Sequence, residues 1–106
     1  MTVPLAGPQP EVQIVQVDIL GTDLLAIVVR CLATTRLGAH FHCVNRDGRA
    51  VDLTLAEIQR YAGVSVTEVD PPCAARLVLM LTGTGTGASE LHLQPRDVLQ
   101  GINPIA

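Results

Sequence analysis

The sequence contains no lysine and no tryptophan, and its 106 residues include one phenylalanine, Phe41, and one tyrosine, Tyr61. An aromatic core is therefore disfavoured, and the interior has to be packed from Val, Leu, Ile and Ala. Apolar residues make up 48% of the chain. Two cores in so short a chain would each be too small to be stable, so the composition predicts a single domain.

The sequence also lacks long apolar runs and paired cysteines. The longest apolar run, residues 24–29, is much shorter than the roughly 20 residues that span a bilayer. The N-terminal segment has no basic, signal-like character. Cys31, Cys43 and Cys73 are odd in number and widely spaced, without a CxxC pair, which fits a reducing compartment. We therefore expect a cytoplasmic protein without a membrane segment.

Charge of either sign is sparse. Seven basic and ten acidic side chains give a net charge of −3, which supplies no long-range attraction for a phosphate backbone. A protein partner is therefore favoured over nucleic acid, and exposed strand edges would also permit self-association. Arginine forks suit specific contacts with carboxylates or phosphates, but we expect these side chains to be scattered over the surface. They are Arg30, Arg36, Arg46, Arg49, Arg60, Arg76 and Arg96.

Strand patterns begin after a Pro-rich arm at residues 1–10, where proline removes backbone donors. Val and Ile enrichment over 11–20 predicts one strand, and the apolar segment 24–32 predicts a second that is buried on both faces. Asp47-Gly48 lies between two further apolar segments. This dipeptide predicts a type I′ hairpin whose strands end near Asn45 and start near Arg49.

Residues 54–62 fit two structures. Thr54 and Glu57 could form a capping box and Gly63 a C-cap, which indicates a short helix. The apolar residues at 51, 53 and 55 alternate with polar ones, which indicates a strand that continues the hairpin. On this pattern alone an all-β fold and an α+β fold with a helix at 54–62 both remain open.

The rest of the chain predicts short strands separated by turns. Residues 64–69 alternate in polarity and end at Asp70-Pro71-Pro72, because proline cannot donate to a strand ladder. The apolar segment 76–81 predicts a buried strand. A loop of small residues over 82–89 precedes a last short strand at 91–93.

In this order, residues 12–101 resemble the second domain of elongation factor Tu and related translational GTPases. The similarity rests on Arg36-Leu37-Gly38-Ala39 before the hairpin, and on the segments EIQRYAGVSVTEVDPP, RLVLML and PRDVLQG. The resemblance implies an all-β fold, a small closed antiparallel β-barrel over residues 11–102 with a tail at 103–106, and a strand at 54–62. Two features depart from the family: no corner glycine lies between Pro72 and Arg76, and Arg96 replaces the usual glycine before Asp97.

Within translation factors such a barrel contacts the acceptor end of aminoacyl-tRNA or the ribosome, beside a nucleotide-binding domain. This sequence has no GxxxxGK[ST] motif, so it cannot act as a GTPase alone. We expect a non-enzymatic interaction module. The alternative hypothesis is an accessory that binds RNA at tRNA acceptor ends.

No residue is assigned a catalytic, cofactor-binding or metal-binding role. His40 and His42 have the spacing of two ligands on one strand face, with His92 as a third candidate, but two solvent-facing histidines are the expected reading. Each cysteine is expected to act as a small buried hydrophobic residue, with Cys73 the most exposed of the three. The alternating glycines Gly83, Gly85 and Gly87 form no nucleotide-binding motif and predict a hairpin loop.

Overall fold

The computed structural model describes residues 9–44, 47–61, 63–82, 87–91 and 93–104. Within these ranges the backbone forms nine β-strands, one turn of 3-10 helix at Ala88–Glu90 and no α-helix. No helix in the described ranges is long and apolar enough to cross a membrane. The strands are β1 (Glu11–Ile19), β2 (Leu24–Ala33), β3 (Thr35–Arg36), β4 (His40–Val44), β5 (Ala50–Tyr61), β6 (Val64–Val66), β7 (Glu68–Val69), β8 (Ala74–Thr82) and β9 (Val98–Ile102).

Six of these strands form a closed antiparallel barrel, which confirms the predicted fold class. The order around the barrel is β4-β9-β1-β2-β8-β5, and pairing of β5 with β4 closes it. Strand β6 extends the sheet beyond β5, and β3 pairs with β7 in a separate two-stranded ribbon. Closure gives each of the six strands two neighbours in the sheet.

The core is aliphatic, as the composition predicts. Phe41 is the one aromatic side chain in it that the structure describes, and it is fully buried. The remaining space is filled by branched side chains from the inner faces of the strands. The largest of these fully buried residues are Val12, Ile14, Leu25, Ile27, Val29, Leu53, Leu55, Ile58, Val69, Leu77 and Leu79.

The alternative helix at 54–62 is wrong, because residues 54–61 lie in β5, which pairs with β4, β8 and β6; residue 62 lies outside the described residues. A β-bulge interrupts the alternation within this strand. Leu55 pairs with Leu79 and Glu57 with Val78, which leaves Ala56 as an extra residue. The bulge shifts the alternation by one residue, so buried positions fall at 51, 53, 55 and then 58. The interval of three between the buried residues Leu55 and Ile58 also occurs on one face of a helix.

A second bulge lies in β1. Ile14 pairs with Val29 and Gln16 with Val28, so Val15 is the extra residue and is 55% exposed. The strand itself is confirmed. The prediction that 24–32 is buried on both faces holds only at its start, because Arg30 and Leu32 lie on the outer side of the barrel, where they are exposed.

Three local predictions need correction. The predicted antiparallel hairpin forms, with Val44 and Ala50 as the last described pair, but its turn is not type I′, because Gly48 has positive φ and Asp47 does not. The strand expected over 64–69 breaks at Thr67, because its halves pair with different partners, β5 and β3. In the strand expected at 91–93, Leu91 forms a single bridge and Leu93 is not in a strand, whereas His92 lies outside the described residues.

Gly101 of β9 pairs with Phe41 of β4, and the two backbones leave no room for a side chain there. A Cβ atom at Gly101 would overlap the carbonyl group of His40 and lie 2.9 Å from the Cα atom of Phe41. All of these atoms are backbone, so no side-chain rotation can relieve the overlap. Glycine is therefore required at this position.

We predict that Gly101→Ala lowers the free energy of unfolding by about 3 kcal/mol or more, because the strands must separate to admit the methyl group. Chemical denaturation followed by circular dichroism would measure the change. Gly21→Ala is the matched control, since the nearest atom to its added Cβ, on Leu24, is 3.9 Å away. Equal stabilities of the two variants would contradict this account of barrel closure.

The turn before β9 holds Arg96 at a φ of +79°, the single non-glycine residue with positive φ in the described chain. Pro95 precedes it, and the backbone N–H of Asp97 donates to the carbonyl of Gln94 over 3.1 Å. This arrangement is a type II turn, whose third position favours glycine. The turn is held against β1, since the Arg96 N–H donates to the Ile14 carbonyl at 2.7 Å.

We predict that Arg96→Gly raises the free energy of unfolding by about 0.5–1 kcal/mol, because glycine adopts positive φ without a Cβ penalty. Arg96→Ala is the control, since it removes the guanidinium and keeps the penalty. Denaturant titrations of both variants against the original protein separate the two contributions. A stabilisation of the same size in both would mean that the side chain, not the backbone, causes it.

Candidate binding surface

The histidines lie where the strand pattern predicts them, on the outer face of β4. His40 and His42 are exposed, whereas Phe41 between them is buried. On the neighbouring strand, Asp52 pairs with His42 and places its Oδ1 atom 2.8 Å from the imidazole Nδ1. His92, the suggested third metal ligand, lies outside the described residues. Among those described, no group of three His, Cys, Asp or Glu side chains is arranged to hold a metal ion.

The cysteines are partly or fully buried. Cys31 is buried, its thiol donates to the carbonyl of Ala33 at 2.8 Å, and burial raises its pKa. Burial also raises the pKa of Cys43 to about 11, with the charge of Asp52 as a smaller cause. Cys73 is half-buried against the core, as is Cys43. Raised thiol pKa values disfavour the thiolate that a nucleophile needs.

The glycine-rich loop offers no phosphate cradle in its described part. Gly83 and Gly85 lie outside the described residues. The amide of Gly87 donates to the Oε2 atom of Glu90 over 2.6 Å, and the next amide, of Ala88, donates to the carbonyl of Thr22 at 2.7 Å. Because both donors already have oxygen acceptors, neither is directed at a ligand.

One groove, which we name the terminal groove, has a volume of about 710 Å³ and lies where Gln9 and Pro10 meet β9. Its apolar walls are Val98 and Ile102, which are 45% and 54% exposed. Polar groups at its margin include His42, together with the Gln100 amide, which donates to the Glu11 carboxylate at 2.6 Å. A groove of this mixed character can accept a polypeptide segment.

The arginines are not scattered as expected. Arg36 forms an ion pair of 2.9 Å with Glu68 on the β3–β7 ribbon, and Arg46 lies outside the described residues. Four others line two adjacent grooves on the outside of β1, β2, β8 and β5, a surface that we name the arginine face. They are Arg30, Arg60, Arg76 and Arg96.

Strand register brings the two grooves of the arginine face together. The first groove, of about 380 Å³, lies between Arg30 and Arg96. The second, of about 490 Å³, is lined by Arg60 and Arg76. Arg30 pairs across β2 and β8 with Ala74, which lines the second groove. The grooves are therefore neighbours. The sequence did not show this cluster, because the four positions meet only through strand pairings and the bulge in β1.

Comparisons with known proteins identify the fold alone. No protein-family model matches the sequence, and no curated protein sequence matches it at a significant level. Two solved structures of the S. cerevisiae Ski7 GTPase-like domain are similar, one bound to GDP and inorganic phosphate and one bound to GTP. Their TM-scores are 0.68 and 0.67, and sequence identity is 9% in both. The matches cover 94% and 97% of this chain but 24% of each Ski7 chain.

The chain thus spans about a quarter of the Ski7 chains that it matches. The similarity is consistent with the resemblance of residues 12–101 to the barrel of translational GTPases. At 9% identity it carries no information about ligands or partners.

The raised pKa of Cys43 predicts a pH dependence of stability. The folded state holds the proton up to about pH 11, whereas the unfolded thiol loses it near its ordinary value of 9.0. The contribution is therefore fully present below pH 9 and is lost as the pH rises toward 11. Denaturant midpoints should fall less between pH 8.5 and 10.5 in Cys43→Ala than in the original protein. Parallel pH profiles would show that Cys43 is not responsible.

Proposed function

We propose that this domain is a non-enzymatic binding module that acts through contacts with a partner protein in the cytoplasm. The observation that carries the proposal is the outer surface of the barrel, where large apolar side chains line grooves. Val15 is 55% exposed beside the first groove of the arginine face, and Val98 and Ile102 line the terminal groove. Exposed apolar side chains beside polar groups are typical of interaction surfaces.

The position of the reactive side chains supports a non-enzymatic role. His40 and His42 point outward from β4, whereas Cys43 packs toward the core from the same strand. A cysteine nucleophile needs its base within hydrogen-bond reach, and alternation along the strand holds these groups on opposite sides. The pairing of His42 with the exposed Asp52 brings no nucleophile with it.

The fold similarity is compatible with this proposal and does not extend it to nucleotide chemistry. The Ski7 structures contain GTP or GDP, but they belong to a chain of which this barrel matches 24%. This sequence contains no GxxxxGK[ST] motif for holding phosphates and magnesium. We therefore expect the barrel to act through its surface grooves.

The second candidate function is RNA binding at tRNA acceptor ends. The observation in its favour is the arginine face, which concentrates four cations on a chain of net charge −3. Single-stranded RNA is usually also held by stacking on exposed aromatic rings. Phe41, the one aromatic side chain that the structure describes, is fully buried, so the described surface favours the protein-binding hypothesis over the RNA one.

Affinity isolation of the tagged domain from its native cytoplasm tests both candidates. Bound protein and bound RNA are identified separately at low and at moderate salt, and each interaction is rebuilt from purified components. We expect one defined protein that is retained at moderate salt. Enriched tRNA that is lost as salt rises would favour the second candidate, because phosphate contacts are salt-sensitive. Turnover of nucleotide or ester by the purified domain would contradict a non-enzymatic role.

A further inference from the structure

We propose that the arginine face binds an extended acidic segment of a partner protein, with one carboxylate of that segment seated between Arg30 and Arg96. This inference rests on the proposed function, because it names the chemistry of the protein that the barrel would bind. It assigns a class of ligand, an acidic peptide, to the two grooves of the arginine face.

The first groove is built to receive an anion. Arg30 forms one wall, and its neighbour across the β1–β2 pairing, Gln13, adds an amide. Pro95 and Arg96 form the opposite wall. Within the described part of the chain, neither guanidinium has a carboxylate partner, in contrast to Arg36, which pairs with Glu68. Two unpaired guanidiniums across one groove match a carboxylate that can accept hydrogen bonds from both sides.

The backbone at Arg96 is a second, independent observation. A φ of +79° is costly for any residue with a Cβ, and the type II turn would accept glycine there at lower cost. Two backbone hydrogen bonds with Ile14 hold this unfavourable conformation. The Arg96 N–H donates to the Ile14 carbonyl, and the Ile14 N–H donates to the Asp97 carbonyl, each over 2.7 Å. Backbone strain at a side chain that lines a groove is more typical of a binding site than of a loop that only connects strands.

The position of the second groove predicts the spacing of acidic residues in the ligand. Arg76 pairs with Val28, and Arg30 pairs with Ala74, so the two arginines are diagonal neighbours on β2 and β8. Diagonal neighbours lie about 7–8 Å apart. Alternate residues of an extended peptide are about 6.6 Å apart, because each residue rises about 3.3 Å. Acidic residues at every second position of the segment could therefore contact successive arginines.

Apolar side chains between the arginines favour protein over nucleic acid. Val15 lies in the first groove, and Val28 and Ala74 lie in the second. These side chains could contact the methylene groups of an acidic segment, and among the side chains that the structure describes no aromatic ring lines either groove.

One carboxylate beside the arginine face, that of Glu57, already has partners within the domain. Glu57 accepts hydrogen bonds from Ser65 and Gln59 at 2.7 and 2.8 Å, and these hydrogen bonds lower its pKa.

The test uses a fluorescent ten-residue peptide of alternating Glu and Val and a matched peptide of alternating Gln and Val. Binding to the whole chain is measured by anisotropy, and the Nε–Hε resonances of the arginines are followed by NMR. We expect the Glu peptide to bind and to shift Arg30 and Arg96. Arg96→Gly, which suits the turn, and Arg30→Gln should each weaken binding about tenfold or more, since each removes a charge-assisted hydrogen bond. Arg36→Gln is the control and should bind as the original does.

Three results would overturn the inference: equal binding of the Glu and Gln peptides, equal loss in Arg36→Gln and Arg96→Gly, or tighter binding of an oligouridylate than of the Glu peptide at the same salt. Failure of the inference is distinct from failure of the proposed function. A protein partner retained by the Arg30→Gln, Arg96→Gly double variant removes only the inference. If the original domain retains no protein at all, the proposed function fails.

Discussion

The close approach of β9 to β4 at Gly101 is the contact on which the barrel depends. It pairs β9 with β4, the first strand of the hairpin, at the position of the fully buried Phe41. The Gly101 amide also donates to the carbonyl of Pro10 at 3.2 Å, so the N-terminal segment is held at the same place. Just beyond β9, the side chain of Asn103 accepts from the Arg36 amide and donates to the Thr34 carbonyl, each over 2.9 Å. The segments at Pro10, before β1, and at Asn103, after β9, are therefore both fixed close to the contact at Gly101.

The sequence predicts most of the strands and the fold class, because alternation of buried and exposed residues is local information. It was ambiguous at 54–62, where Thr54, Glu57 and Gly63 fit the capping pattern of a helix while the alternation at 51, 53 and 55 fits a strand. Neither periodicity nor propensity distinguishes these cases; the pairing of Leu55 with Leu79 does, and that pairing lies across the barrel. The prediction of a strand at 91–93 also depends on distant pairing, since a strand of this length forms only if a neighbouring strand has free backbone groups opposite it.

The surface was less predictable than the core. The inward position of Cys43 and the outward position of His42 follow from alternation, and both were expected. The grouping of Arg30, Arg60, Arg76 and Arg96 depends on which strands are neighbours, and a net charge of −3 says nothing about such a grouping. The unusual feature visible in the sequence was Arg96 itself, which stands where the resemblance places glycine. Its positive φ shows that the turn keeps the glycine conformation with a side chain added.

The pairing of the first and last barrel strands has a mechanical consequence. Glu11, which starts β1, is opposite Gln100 near the end of β9, so these two chain ends leave the barrel side by side. A force that separates them would load the β1–β9 hydrogen bonds one at a time, like a zipper, and not all together. The domain should therefore open at low force when it is pulled from both ends, although a six-strand closure protects the same bonds in the absence of load.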